Sequence, residues 1–180
     1  MNNIKSAWQQ FIQEGQADSS EVRKKIYDSW KRCRAMGIQP TQKKIGRILN
    51  ESELNKILQN NKKFIDISTP YMNNLYEFVR DSGFIISLTN SENIVIKIIG
   101  DDPIKYRLKN GGFVEGSDWS EQSAGTNAIG TSLFIKEPIQ IFSYEHYCRF
   151  AQVSSCSGAP IKNIYGDIIG AINLTGYDNN

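Results

Sequence analysis

At Gly83 the spacing of apolar residues changes from helical to strand-like, and that switch limits the folds open to this chain. Before it, Ile4, Trp8, Phe11 and Ile12 recur at helical spacing, with Gly15 as a stop. Ser19 or Ser20 is placed to cap a second helix, with Glu21 in its first turn. Val22, Ile26, Trp30 and Cys33 then share one face, and Gly37 with Pro40 ends the segment. A third helical stretch is expected from about Thr41 to Leu49. A fourth, capped at Ser52, carries Leu54, Ile57, Leu58, Phe64 and Ile65 on its apolar side. Pro70 is expected to break or restart it, because proline has no amide hydrogen and clashes with the preceding turn. Leu75, Phe78 and Val79 carry the restarted helix to Gly83.

After Gly83 the runs are short and unbroken. Phe84–Leu88 and Ile94–Ile99 flank the polar turn Asn90–Asn93 and read as a strand pair. Asp101, Asp102 and Pro103 open a helix toward Leu108. Pro138–Phe142, Ser154–Ile161 and Ile168–Leu174 are strand-like, the last two joined by a turn at 162–167. Strands joined by mostly short connections, with helices between them, give an α+β class: an antiparallel sheet with helices on its faces.

A chain of 180 residues with 39% hydrophobic and 22% charged residues has enough apolar material for a core. A net charge of +2 exerts no strong pull toward nucleic acid or membrane. Cys33, Cys148 and Cys156 are odd in number and lack CxxC spacing, which favours a reducing, intracellular setting over a disulfide scaffold. Met1–Gly15 is polar and amphipathic, unlike a secretory signal, and no apolar run is long enough to span a bilayer. A cytoplasmic protein is expected.

Gly116–Gly130, GSDWSEQSAGTNAIG, combines a tryptophan, an acid and small residues. Gly125, Ala128 and Gly130 let a ligand or another backbone approach closely, and Thr126 and Asn127 offer polar groups at that distance. The same run also fits a loop entering a tightly packed helix. Trp119 can wall a pocket while Glu121 orients a ligand, or Trp119 can anchor a core and Glu121 face a helix dipole. His146, the single histidine, admits three readings: a hydrogen-bonded structural residue, a metal or redox site with Cys148 and Cys156, or an activator of a Cys156 thiolate. Their spacing matches no standard zinc signature. The basic run Arg23–Arg34 reads as a solvated face opposite the Val22–Trp30 stripe, which packs either on its own domain or in a dimer.

The order strand pair, GSDWSEQSAGTNAIGTSL, PIQIFSYEHYC, CSGAPIKNIYGDIIGAINLTG resembles the GAF sensory domain that precedes the ATPase of sigma-54-dependent bacterial activators of the acetoin-regulator type. Ser29–Cys33 through Gly37, Ile38 and Pro40 resembles the SWxRC…G…P lead-in of the same regulators. The resemblance runs from about Tyr27 to Gly176. It implies a six-stranded antiparallel sheet with helices on both faces, residues 61–177 as the sensory domain, and residues 1–60 as a helical segment for packing or dimerisation. It also implies a non-enzymatic sensor with a small-molecule effector between the sheet and the Asp118–Leu133 cover. A homodimer is expected, and the cofactor is unknown. Trp119, Glu121, Thr126, Asn127, His146 and Cys156 are the candidate ligand residues, with no metal. Contacts to polymerase and DNA would belong to domains beyond Asn180, which agrees with the absence of a Walker motif. The chain departs from this group at Asn173, where aspartate is frequent, and at Ser154 and Ser155, where an aromatic is frequent.

Overall fold

The computed structural model describes residues 2–18 and 20–177. Helices α1 (Asn2–Glu14), α2 (Lys24–Ala35), α3 (Glu51–Asn60) and α4 (Lys62–Val79) precede strands β1 (Phe84–Asn90) and β2 (Val95–Gly100). Helices α5 (Asp102–Lys109), α6 (Glu121–Ala124) and α7 (Ala128–Ile135) follow, then β3 (Ile139–Phe142), β4 (Ser154–Lys162) and β5 (Ile168–Tyr177). Among the described residues the strands form one five-stranded antiparallel sheet in the order β2-β1-β5-β4-β3.

The expected sixth strand is absent from this sheet. The segment Gly116–Trp119 runs beside β2, with Val95 N–H donating to Ser117 O and Gly116 N–H to Val95 O. Gly116 at φ +89° turns the chain out of extended geometry, so only the isolated bridges Ile94–Asp118 and Ile48–Ser117 form.

Period-2 alternation sorts the strand side chains onto two faces. Ile86, Leu88 and Ile96 point to one face and pack with Met72 of α4. Ile85 and Val95 point to the other, where Trp119, Ala124 and Ile129 cover them. The apolar stripes of α1 and α2 close a further cluster: Trp8, Phe11, Ile26 and Trp30 bury with Ala128, Ile139, Ile141 and Tyr147. Both tryptophans also donate into the 143–148 loop, Trp8 Nε1 to Tyr147 O at 3.0 Å and Trp30 Nε1 to Glu145 O at 2.8 Å.

Helix boundaries differ from expectation where side chains found other partners. Ser19 lies outside the described residues. Ser20 instead bonds Asp18, and α2 begins at Lys24 with no side-chain cap. The end of α2 is as expected: Gly37 N–H bonds Arg34 O and Ile38 N–H bonds Cys33 O, a Schellman turn with Gly37 at φ +75°. Asn50, rather than Ser52, caps α3 in a capping box with Glu53. The 41–49 stretch is not helical. Its backbone pairs instead with the 111–123 loop, Ile45 N–H to Gly111 O and Leu49 N–H to Gly116 O. Pro70 lies inside a continuous α4. One lost hydrogen bond there is outweighed by the apolar face that α4 lays on the sheet.

Candidate functional site

Between α7 and the β4–β5 face lies a cavity of roughly 410 Å³. Trp119, Phe113 and Phe150 line it as aromatic walls, with ring centroids 4.8 Å apart for Phe113–Trp119 and 6.0 Å for Trp119–Phe150. Trp119 is held in place by its Nε1, which donates to Ser117 Oγ at 2.9 Å. The sheet contributes Ser154, Cys156, Asn173 and Thr175, and Lys43 and Arg107 complete the lining on the exposed side. Gly158 is what lets α7 sit so low on the sheet: a Cβ there would stand 2.1 Å from Ala128 O.

Of the candidate ligand residues, Trp119, Asn127 and Cys156 reach this cavity, whereas Glu121, Thr126 and His146 do not. Asn127 spends all its polar atoms on the framework. Its Nδ2 donates to Trp119 O at 2.9 Å and Gly125 O at 2.8 Å, and its Oδ1 accepts from Gly130 N–H at 2.9 Å as the N-cap of α7. The neighbouring small residues serve packing. A Cβ at Gly130 would meet Trp119 O at 2.5 Å, and one at Gly125 would meet Cys148 Sγ at 2.8 Å.

Glu121 and Thr126 belong to a buried polar cluster that ties α2 to the cover. Ser29 Oγ donates to Glu121 Oε1 at 2.6 Å and lies 2.7 Å from Thr126 Oγ1, and Thr131 Oγ1 donates to the same carboxylate oxygen at 2.8 Å. Arg32 completes the cluster with two bonds to Glu121.

His146 is fully buried, and its Nδ1 donates to Ser143 O at 3.0 Å. That bond leaves Nε2 as an acceptor, and it has no partner among the described residues. Burial pulls the imidazole down to about 4, so it is neutral at pH 7. Burial likewise pushes the Cys33 thiol up to about 11 and Cys148 up to about 12, and raises Cys156. Among the described residues no group of three His, Cys, Asp or Glu side chains stands close enough to hold a metal ion. None of their helices is long and apolar enough to cross a membrane.

Asn173, Thr175, Phe113 and Phe150 line the cavity and are not among the six candidate ligand residues. Asn173 left a signal, a polar amide between Ile172 and Leu174 in a strand. Phe113 and Phe150 left none, since a loop brings the first to the cavity and a short 3-10 turn, Arg149–Ala151, brings the second.

This architecture matches known proteins. The MimR N-terminal domain model covers residues 2–179. The chain belongs to the MimR N-terminal domain family. AcoR, the acetoin dehydrogenase operon transcriptional activator of Bacillus subtilis, is 32% identical over 178 residues, covering 97% of this chain and 29% of AcoR. A signal-transduction and transcriptional-control protein of Clostridium beijerinckii is 40% identical over 151 residues, covering 84% of this chain and 24% of that protein. MimR of Mycolicibacterium smegmatis, activator of the propane 2-monooxygenase operon, is 25% identical over 171 residues, 94% of this chain and 28% of MimR. The chain thus spans about a quarter to a third of these relatives. The crystal structure of the Escherichia coli DhaR(N)–DhaL complex matches with a TM-score of 0.82 at 15% identity, covering 86% of this chain and 52% of that one, and shows a common fold. The family resemblance to activator N-terminal regions therefore holds, and these relatives of the MimR family regulate operons.

Proposed function

We propose that this MimR-family domain is the non-enzymatic, GAF-like sensor of a sigma-54-dependent cytoplasmic activator, and that a small molecule binds in the cavity between α7 and the sheet. The observation that carries the reading is the cavity itself: a metabolite-sized space with aromatic walls and a few polar groups, beneath a cover whose helix is bonded to α2. An effector favouring one arrangement of the cover would shift the balance between two states by its differential affinity. The Arg32–Glu121 link gives that shift a route to the N-terminal helices. In this reading residues 61–177 sense and residues 1–60 brace the sensor or join two copies. ATPase and DNA-binding domains elsewhere in the protein deliver the output to polymerase.

Native mass spectrometry of gently purified protein, followed by a thermal-shift screen of small metabolites, tests the proposal. A retained organic mass, or a saturable rise in Tm, is expected. It should disappear in Val153→Trp, which plugs the mouth of the cavity from a half-exposed position. A rise that persists unchanged in that variant would place binding elsewhere and remove the cavity from the proposal.

A further inference from the structure

The hydrogen bonds on the cavity's sheet side run in one direction. Asn173 Nδ2 donates to Thr175 Oγ1 at 2.6 Å and to Ser87 Oγ at 3.3 Å. Thr175 Oγ1 donates to Cys156 Sγ at 3.4 Å, Cys156 Sγ to Ser154 Oγ at 3.9 Å, and Ser154 Oγ to Ala151 O at 2.6 Å. Each hydroxyl and thiol has one hydrogen and the amide has two, so the donors of Asn173, Thr175, Cys156 and Ser154 are all used. What remains is acceptor capacity, and one acceptor is unmet among the described residues: Asn173 Oδ1 is buried without a partner, on a residue 2% exposed. A buried polar atom left unpaired costs stability until something donates to it.

The exposed side has the opposite character. Lys43 and Arg107 line the cavity there, and among the described residues no acidic side chain does. Among the described residues neither cation is paired with a carboxylate, and Arg107 lies over the ring of Tyr177 at 4.3 Å. Phe113, Trp119 and Phe150 supply the aromatic part of the same lining.

From this polarity we infer that the cavity takes a small hydroxycarboxylate. Its carboxylate meets Lys43 and Arg107, its apolar middle lies against the aromatic walls, and its hydroxyl donates to Asn173 Oδ1. The inference rests on the sensory reading of the cavity and adds the chemical class of the effector.

Calorimetry on the purified domain tests it with three matched sets of probes. The hydroxy acids are β-hydroxybutyrate, ω-hydroxyhexanoate and p-hydroxyphenylacetate. Butyrate, hexanoate and phenylacetate lack the hydroxyl, and butanediol, hexanediol and tyrosol lack the carboxylate. At least one hydroxy acid is expected to bind roughly tenfold more tightly than both of its matched partners. Replacing the two exposed cations in Lys43→Gln/Arg107→Gln should weaken it about tenfold and flatten its salt dependence. Asn173→Leu should reduce the hydroxy acid to the affinity of its matched acid, while that acid's own affinity, which also reports that the variant is folded, stays unchanged. Should Asn173→Leu fail to fold, the matched sets and the cation variant decide alone. Diols that bind as tightly as the hydroxy acids would overturn the ligand class and leave the sensory reading standing. Failure of all three hydroxy acids to bind overturns the class as well, and the metabolite screen then judges the sensory reading separately.

Discussion

Arg32 and Glu121 form a two-pronged pair, Nε to Oε2 at 2.8 Å and Nη2 to Oε1 at 2.7 Å, that joins α2 to the first turn of the cavity's cover. Glu121 is 6% exposed and takes two further hydroxyl bonds, so its charge is stabilised only while all of these partners are present. Breaking a buried pair strands charge and hydroxyl donors together. Glu121→Ala is expected to cost about 3 kcal/mol in urea denaturation. A loss under about 1 kcal/mol would mean that the cluster relaxes and does not couple α2 to the cover.

Asn127 is a second structural keystone of that cover, because its amide closes three bonds at the start of α7. Asn127→Ala removes the cap and leaves the buried Trp119 and Gly125 carbonyls without that partner. A destabilisation of about 2 kcal/mol is expected from denaturant unfolding. Wild-type stability in the variant would show that water replaces the amide.

His146 makes stability depend on pH. Its folded pKa of about 4 lies below the usual value of 6.5, so the unfolded chain binds the extra proton first as pH falls. Its contribution is therefore full above about pH 6.5 and is lost progressively down to about pH 4, a change of about 3 kcal/mol. Urea midpoints measured from pH 7 to 4 should fall more steeply in the wild type than in His146→Gln. Parallel slopes in the two proteins would show that His146 is not buried as a neutral ring.

The three thiols are buried, and burial raises all three. For Cys33, at about 11 against the usual 9, this leaves about a hundredfold less thiolate at a given pH, before access is counted, and for Cys148, at about 12, less still. Iodoacetamide at pH 8 should modify Cys33 and Cys148 at least that much more slowly in the folded protein than in urea, and Cys156 more slowly as well, as read by mass spectrometry. One rapidly alkylated cysteine in the folded state would instead favour a redox role.

Several features were already written in local sequence. The Phe84–Leu88 and Ile94–Ile99 runs read as short buried strands, and the Ile26, Trp30 and Cys33 stripe as a helix face seeking cover. Gly37 ended its helix because the backbone there needs a positive φ. Trp119, Asn127 and Cys156, three of the six candidate ligand residues, line the cavity.

What the tertiary structure decided was the choice among partners. Local propensity favoured a helix at 41–49, but the 111–123 loop offered its backbone groups a different set of bonds. Pro70 would have ended an isolated helix, yet α4 runs through it because its face is buried on the sheet. Glu121 could have faced a ligand or a helix dipole. It became the anchor of α2 because Arg32, eighty-nine positions earlier, folds against it. Asn173 shows the converse: register places its amide beside Ser87 and Gly158, where among the described residues both hydrogens find partners and the oxygen does not. Periodicity is carried by neighbours in sequence and can be read there. Hydrogen-bond partners are chosen by distance in space, and only the packed chain sets those distances.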